Sequence, residues 1–332
     1  MATRTIKSPR AGIPCRPSAI AVAVAGALVA AAPSSFALPT GGEVAAGQAT
    51  ISQPSASSLQ ITQGTQKAIL NWQGFSIGKS ESVNFSQPSA SAVALNRVLG
   101  SNPSHIFGRL TANGQVFLSN PSGVIFGRTA SVDVGGLVAT TLSISDSDFL
   151  SGNYVFSNGG AAGAVINEGS IVTANGYTAL IGPQVTNDGI IAARLGSVAL
   201  AAADRVTLDM VGDGLISLSI DQAAVNAAAI NSGTITADGG HVLLTARSAN
   251  ALLDTVVNNT GVIRANSLVE RNGEIVLDGG GAGQTVNGGT LEAVGLESGT
   301  KGGDINVLGD RVLLAPGSRI DVSGDEGGGT AL

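Results

Sequence analysis

The segment Asn167-Glu-Gly-Ser-Ile171 is the first copy of a phrase, Asn-x-Gly-x followed by an aliphatic residue, that recurs through the second half of the chain. The last three copies are evenly spaced, the gap before them is longer, and a degenerate copy without asparagine follows at 315–320. Asn and Gly tolerate positive φ and favour turns, and the aliphatic residues after them alternate as in a strand. The copies begin at Asn167, Asn187, Asn231, Asn259 and Asn287.

A second phrase, glycine followed by alternating aliphatic residues, separates these copies. It begins at Gly196, Gly240, Gly273 and Gly303. Repeats of this length are typical of solenoids, in which each strand stacks in parallel on the strand one coil below, about 4.8 Å away. We therefore expect an all-β, parallel β-helix whose recurring asparagines stack as an amide ladder. The alternative is an antiparallel meander or sandwich in which Asn-x-Gly marks hairpin turns.

The two ends of the repeat region differ from its middle. Residues 38–98 lack the Asn-x-Gly phrase and contain the single tryptophan, Trp72. Because exposed strand edges at the end of a coil promote aggregation, we interpret this segment as an N-terminal cap with the first coils. At the other end, residues 327–332 begin the glycine phrase and stop within its strand. This pattern suggests a truncated part of a longer protein.

Residues 1–37 have the features of a secretory signal peptide. Four basic residues precede an apolar stretch at 19–32, which is followed by Ser35-Phe-Ala37. We expect cleavage between Ala37 and Leu38, since a small residue at this position is typical of signal cleavage sites. The apolar stretch is too short for a stable membrane anchor. The mature chain is therefore expected to pass through the periplasm and to be secreted or held at the bacterial surface.

The charge balance excludes several partner classes. The predicted signal removes four of the 17 basic residues and none of the 23 acidic ones, which leaves 13 minus 23, or −10. An acidic chain of this kind argues against nucleic acid and anionic membranes as partners. Only 12% of the residues are charged and 3% are aromatic, while 47 are glycine. This composition agrees with a narrow coil filled by aliphatic layers.

Three long motifs in the first half of the chain carry a family resemblance. They are Ile69–Phe85, Asn96-Arg-Val-Leu-Gly-Ser-Asn-Pro-Ser-His-Ile-Phe-Gly108 and Ala112-Asn-Gly-Gln-Val-Phe-Leu-Ser-Asn-Pro-Ser-Gly-Val-Ile-Phe-Gly127. These motifs closely resemble the filamentous haemagglutinin N-terminal domain, the two-partner secretion domain of large bacterial exoproteins. Two further stretches, 134–146 and 313–324, are similar to its high-molecular-weight adhesin subgroup. The resemblance implies a right-handed β-helix that an outer-membrane β-barrel transporter recognises in the periplasm.

The resemblance also singles out one turn. Family members use an Asn-Pro-Asn-Gly motif in secretion, and Asn120-Pro121-Ser122-Gly123 occupies its place with serine at the third position. Asn, Pro and Gly at these positions suit a type I β-turn, and Asn102-Pro103 begins in the same way. Two readings stay open, a purely structural turn and a direct contact with the transporter. The serine places in doubt any role that needs the third amide.

Catalytic and metal-binding patterns are weak. Gly74-Phe-Ser76-Ile-Gly78 matches a hydrolase nucleophile elbow, but no helical pattern follows the serine as that motif requires. His105 and His241 have no further ligand at zinc spacing, and the acidic stretches at 146–148 and 321–326 lack calcium-loop spacing. The Asn84 and Asn258 sequons are read as turn residues unless glycopeptides are found. We expect no catalytic residues, no metal and no cofactor.

These observations divide the chain into four segments: a signal peptide (1–37), a cap with the first coils (38–98), a β-helical two-partner secretion domain (99–292) and the start of further β-helical repeats (293–332). The favoured function is the secretion domain of an adhesin or haemagglutinin, whose host-cell or surface glycans and receptors would bind beyond this chain. One alternative is the export domain of a contact-dependent toxin or cytolysin. Another is a β-helical protein that binds or cleaves polysaccharides.

Overall fold

The computed structural model describes residues 38–160, 163–173, 175–210, 216–249, 255–269 and 271–332. The predicted signal peptide, including Ala37, lies outside the described residues. The elements, in chain order, are β1 (Glu43–Ala46), β2 (Ala49–Ser55), β3 (Ser58–Gln63), β4 (Lys67–Trp72), β5 (Ser82–Ser86), β6 (Val93–Val98), β7 (Ser104–Ile106), β8 (Arg109–Ala112), β9 (Gln115–Ser119), β10 (Val124–Phe126), β11 (Ser131–Asp133), β12 (Gly136–Thr140), α1 (Asp146–Ser151), β13 (Tyr154–Ser157), β14 (Ala164–Asn167), β15 (Ser170–Val172), β16 (Tyr177–Gly182), β17 (Gln184–Asn187), β18 (Ile190–Ala192), β19 (Ser197–Ala202), β20 (Arg205–Met210), β21 (Ile216–Gln222), β22 (Ala228–Asn231), β23 (Thr234–Thr236), β24 (His241–Ala246), β25 (Thr255–Asn259), β26 (Val262–Arg264), β27 (Glu274–Asp278), β28 (Gln284–Asn287), β29 (Thr290–Glu292), β30 (Asp304–Leu308), β31 (Arg311–Leu314), β32 (Arg319–Asp321) and β33 (Thr330–Ala331).

Three long sheets form the faces of a coil. Sheet A has the order β2-β3-β5-β8-β11-β15-β18-β23-β26-β29-β32, sheet B the order β1-β4-β6-β9-β12-β16-β19-β24-β27-β30-β33, and sheet C the order β7-β10-β14-β17-β22-β25-β28-β31. The chain passes from sheet A to sheet B to sheet C and then returns to sheet A one coil higher. Apart from β1 and β2 at the N-terminal end, all neighbours in these sheets are parallel. The expected parallel β-helix is confirmed, and the antiparallel alternative is wrong.

The interior consists of columns of aliphatic side chains. The central residues of the sheet A strands are in register from coil to coil: Val83, Leu110, Val132, Ile171, Ile191, Ile235, Ile263 and Leu291. Each of these side chains is at most 1% exposed. Because every strand contributes one such residue and its neighbours point outward, the period-two alternation in the sequence becomes a continuous core.

The N-terminal end of the coil is closed by antiparallel strands. β1 pairs with β4, and β2 forms a hairpin with β3. The Trp72 ring lies under Gly42, where a Cβ atom would collide with it, and its indole Nε1 donates to Asn96 Oδ1 at 3.0 Å. Leu38, the residue after the expected cleavage site, is only 7% exposed. The first coil therefore does not present an open parallel edge to solvent.

Two insertions interrupt the coils. Residues 141–163 contain α1 and β13, and residues 203–227 contain β20 and β21. The three strands form an antiparallel sheet, β13-β20-β21, that packs on the outer face of sheet B and makes a second hydrophobic cluster. The second insertion accounts for the long gap between Asn187 and Asn231. Within the described residues, no helix is long and apolar enough to cross a bilayer.

The repeated glycines have a different role from the one expected. The turn chemistry of Asn-x-Gly predicts positive φ, but Gly189 and Gly233 are not among the positive-φ residues. A Cβ atom at Gly189 would collide with the carbonyl oxygen of Gly169, and one at Gly233 with that of Gly189. Glycine is needed here because successive backbones approach too closely for any side chain.

Candidate functional site

The Asn120-Pro-Ser-Gly123 segment forms the corner between β9 in sheet B and β10 in sheet C. The Gly123 amide donates to the Asn120 carbonyl at 3.0 Å, and the Ser122 amide donates to Asn120 Oδ1 at 2.9 Å. The Asn120 side-chain nitrogen Nδ2 donates to the Asn102 carbonyl at 3.0 Å and to Ser104 Oγ at 2.9 Å. Asn120 thus closes its own turn and also fastens it to the coil below.

The four residues of this corner differ in their exposure to solvent. Asn120 is 0% exposed, and Gly123 is also buried. Pro121 and Ser122 are half-buried, and a Cβ atom at Gly163 in the coil above would collide with them. The serine at the third position uses its backbone amide in the turn, so the turn itself does not require an asparagine side chain there. Of these four residues, only Pro121 and Ser122 present side-chain surface.

The second Asn-Pro pair is not equivalent to the first. Ser104 pairs with Val124, so Pro103 lies beside Gly123 and not beside Pro121. Residues 104–106 already belong to strand β7, and the Asn102 carbonyl accepts from the Asn120 side chain. Asn102-Pro103 is therefore not the counterpart of Asn120-Pro121 in the next coil, because the sheet register shifts the two pairs by two residues.

The recurring asparagines stack at the corner between sheets C and A. The Nδ2 of each donates to Oδ1 of the next: Asn167 to Asn187 at 2.7 Å, Asn187 to Asn231 at 2.7 Å, Asn231 to Asn259 at 2.8 Å, and Asn259 to Asn287 at 2.8 Å. All five side chains are 0% exposed. A buried amide is costly unless both its donor and its acceptor are used, and the stack uses both.

Apolar residues continue the same column at both ends of the ladder. Phe126 is in register with Asn167, and Ile106 with Phe126. At the other end, Leu314 is in register with Asn287. The ladder is therefore a property of the coils from 164 to 287, whereas the coils that carry the Asn120 corner are filled by aromatic and aliphatic side chains at this position.

The residues considered for chemistry are used structurally. Ser76 Oγ accepts from the His105 amide at 3.1 Å, and strand β5, with no helix, follows it. His241 Nδ1 is 2.8 Å from Glu274 Oε2, and this hydrogen bond is the main cause that lowers the pKa of Glu274. Asp146 pairs with Arg97 at 2.7 Å. Among the described residues, no cluster of potential metal ligands is found.

The second hydrophobic cluster was missed by sequence reasoning. Its centre is Phe117, whose ring lies 6.0 Å from Phe149, 5.3 Å from Tyr154 and 6.2 Å from Phe156 between centroids. Tyr177 is buried beside them, which raises the pKa of its phenol well above the usual value. The long gap in the asparagine repeat and the concentration of aromatic residues between 117 and 177 were the available signals.

Comparison with known proteins identifies the family. The profile of the TPS secretion domain matches residues 35–312. The chain belongs to the TPS secretion domain family. TPS stands for two-partner secretion, and this domain is a non-catalytic export domain. The hydrolase-elbow pattern at Ser76 therefore reflects a family motif and not a nucleophile.

Solved structures support the same assignment. The HMW1 secretion domain from Haemophilus influenzae superposes with a TM-score of 0.80 at 32% identity, covering 88% of this chain and 76% of that one. The filamentous hemagglutinin secretion domain has a TM-score of 0.59 at 16% identity, covering 89% and 99% of the two chains, and shows the shared β-helical fold.

A curated relative is similar over most of the chain. The "Heme/hemopexin-binding protein" of Haemophilus influenzae is 37% identical over 249 residues, which cover 72% of this chain and 27% of the relative. A second protein of that description from the same species is 35% identical over 253 residues, with 70% and 27% coverage. The aligned part of this TPS domain thus corresponds to about a quarter of these relatives.

Proposed function

We propose that this chain is the N-terminal secretion domain of a large exoprotein and that an outer-membrane β-barrel transporter recognises it in the periplasm. The observation that carries the proposal is the TPS family match over residues 35–312, together with the β-helix on which it lies. The exported product would be secreted or held at the cell surface. Ala37–Leu38 would be the bond cleaved when the signal peptide is removed.

The domain boundaries proposed are 38–98 for the cap and first coils, 99–292 for the secretion domain and 293–332 for the first of the following repeats. β32 and β33 keep the parallel register of the coils before them. An apolar cavity of about 200 Å³ opens at this end, lined by Ile305, Val307, Leu314 and Ile320 among others.

For the exoprotein as a whole, an adhesin or haemagglutinin is the first candidate. It is supported by the adhesin-like stretches at 134–146 and 313–324 and by the similarity to the HMW1 secretion domain. The second candidate is a haem- or hemopexin-binding exoprotein, which the two curated relatives favour. Binding of the exported product to epithelial cells and to immobilised hemopexin, measured side by side, would distinguish these candidates.

Within the secretion domain, we assign Asn120 to holding the corner and the half-buried pair Pro121–Ser122 to contact with the transporter. Asn120 is fully buried and its side-chain amide is used on both its oxygen and its nitrogen, so it offers nothing to a partner. Its neighbours are the accessible part of the same corner. A change at Asn120 would therefore act on secretion through folding, and a change at Ser122 through recognition.

A secretion assay in cells that express the transporter tests this assignment. Ser122→Arg should reduce the amount of exported domain and leave the unfolding midpoint of the purified domain unchanged. Asn120→Ala should lower both, and Asn102→Ala, an exposed asparagine in the coil below, should change neither. Loss of export by Asn120→Ala with unchanged stability would show that Asn120 itself contacts the transporter. Wild-type export without the transporter would overturn the proposed function.

A further inference from the structure

The corner between sheets A and B carries a groove. Its longer wall comes from residues 265–269, 271–273 and 293–303, where the coils below have only the short connections at 193–196 and 237–240. The groove has a volume of about 390 Å³ and is lined by Asn175, Arg194, Leu195, Leu268, Val269, Arg271 and Glu297. A second cavity of about 620 Å³ adjoins it and shares Arg271.

One residue in the floor of this groove has an unfavourable backbone conformation. Asn175, Leu195 and Gly239 occupy the same corner in successive coils and have φ of 56°, 58° and 68°. Asn and Gly tolerate this left-handed region, but a bulky residue such as leucine does not. Strained positions of this kind persist where the surrounding structure enforces them, and they cluster at ligand sites.

The Leu195 side chain is held in place by packing. A Cβ atom at Gly239 would collide with methyl groups of both Leu195 and Leu268, so the two isobutyl groups meet over that glycine. Next to them, Val269 is 68% exposed. The strained conformation therefore presents an apolar floor in a groove whose other lining groups are charged or amide side chains.

Two arginines, Arg194 and Arg271, and one carboxylate, Glu297, line the groove. Neither Arg194 nor Arg271 lies in any of the ion pairs found among the described residues. Arg271 makes one long hydrogen bond, 3.5 Å, to the Leu195 carbonyl. Planar guanidinium groups bind carboxylates in a bidentate manner, and amide groups such as that of Asn175 suit hydroxyls.

We propose that this groove binds an acidic oligosaccharide, with a sugar carboxylate on Arg194 and Arg271 and the apolar face of the ring on Leu195 and Leu268. The adjoining cavity has room for a neighbouring sugar unit, and His241 and Asn272 in its lining can hydrogen-bond hydroxyls. The groove is shallow and rich in polar groups and has no deep apolar pocket. These features favour a saccharide over a peptide, whose side chains need such anchors.

Titration of the purified mature chain with trigalacturonate tests the proposal. Trigalacturonate should bind at least about tenfold more tightly than its methyl-esterified form, since hydrogen bonds to charged groups are the strongest contacts available. Arg194→Gln and Arg271→Gln should each weaken binding about tenfold. Arg109→Gln is the matched control, because Arg109 is exposed and lies on sheet A away from the groove.

Leu195→Asn tests the apolar floor of the groove without changing the two arginines. Asparagine tolerates the left-handed backbone of this position, so the variant should unfold at a higher temperature than the wild type and yet bind trigalacturonate more weakly. The proposed site would be overturned if the methyl-esterified form bound as tightly as trigalacturonate. It would also be overturned if Arg109→Gln weakened binding as much as Arg194→Gln and Arg271→Gln. Equally tight binding of hexaglutamate, which the same arginine variants abolish, would assign the groove to acidic peptides and would also overturn the saccharide proposal.

Discussion

The coils before residue 140 and the coils after residue 164 have the same three-sided cross-section but are stabilised differently. In the first group, each corner is held by its own set of contacts: Gln63 with Gln87, Trp72 with Asn96, and Asn120 with Ser104. In the second group, one amide ladder repeats the same contact from Asn167 to Asn287. Individual contacts that differ from corner to corner define the first group, and one repeated contact defines the second.

The outer face of sheet B is also buried to different extents along the coil. The column of residues that includes Phe117 in β9 and Leu243 in β24 runs through all these coils in register. Phe117 is covered by the inserted sheet and is 0% exposed, whereas Leu243 is only half-buried. The insertion therefore converts a surface position into a core position, which explains why Phe117 packs against aromatic residues of the insertion.

The largest effect is expected where the inserted sheet meets the coil. Phe117→Ala should lower the free energy of unfolding by about 3–5 kcal/mol, because it empties the centre of a fully buried aromatic cluster. Urea unfolding followed by near-UV circular dichroism measures this change. Leu243→Ala, in the same column, should cost less than about 1.5 kcal/mol, because its side chain is only half-buried and less apolar area returns to water. Equal losses for the two variants would mean that the inserted sheet adds no core.

The amide ladder should be most sensitive at its middle. Asn231→Ala removes the two ladder hydrogen bonds and a longer one, 3.4 Å, to the Gly233 carbonyl. It deprives a buried donor on Asn187 and a buried acceptor on Asn259 of their ladder partner. We expect a loss of about 2–4 kcal/mol, since each orphaned buried group costs roughly 1–3 kcal/mol. Asn287→Ala, at the ladder's end, breaks one such bond and should cost about half as much. Hydrogen exchange of the 228–262 amides would show where the coil opens.

Close stacking of the coils can be tested without changing polarity. Gly233→Ala places a methyl group against the Gly189 carbonyl oxygen, and we expect it to cost about 1–3 kcal/mol, as overpacking usually does. Gly281→Ala is the control, because a Cβ atom at Gly281 would meet nothing within 4 Å. Thermal unfolding of both variants measures the difference. A neutral Gly233→Ala would show that the coils can separate to admit a side chain.

The smallest effect is expected for the ion pair between His241 and Glu274 on sheet B. The hydrogen bond from His241 lowers the pKa of Glu274 below its usual 4.5, so its contribution to stability is present above that value and is lost as the pH falls through the folded pKa. Glu274→Gln should therefore flatten the acid side of the stability curve by no more than about 0.5 kcal/mol, because the Glu274 side chain is 45% exposed and water screens the pair. A stability loss in Glu274→Gln at about pH 2 that is as large as its loss at about pH 6 would contradict this linkage.

Much of the fold could be predicted because repeated sequence becomes repeated structure. The Asn-x-Gly phrase indicated parallel coils and the stacked amides, and the motifs between Ile69 and Asp146 indicated the family. The inserted sheet could not be predicted, since β13 and the β20–β21 pair are far apart in the chain and meet only when the coils between them stack. The same limit applied to Asn102-Pro103, whose equivalence to Asn120-Pro121 depended on the register.

By itself, the sequence determined local preferences that each coil repeats: which residues point inward, where turns occur and which corners carry amides. Only the tertiary structure decided which residues meet across coils. It decided that the repeated glycines serve close approach and not positive φ, that the Asn120 side chain is fully used within the fold, and that strained Leu195 shares a groove with Arg194 and Arg271. The reason is that these contacts join residues far apart in the chain, such as Leu195 and Arg271, and their geometry depends on the stacking of every coil between them.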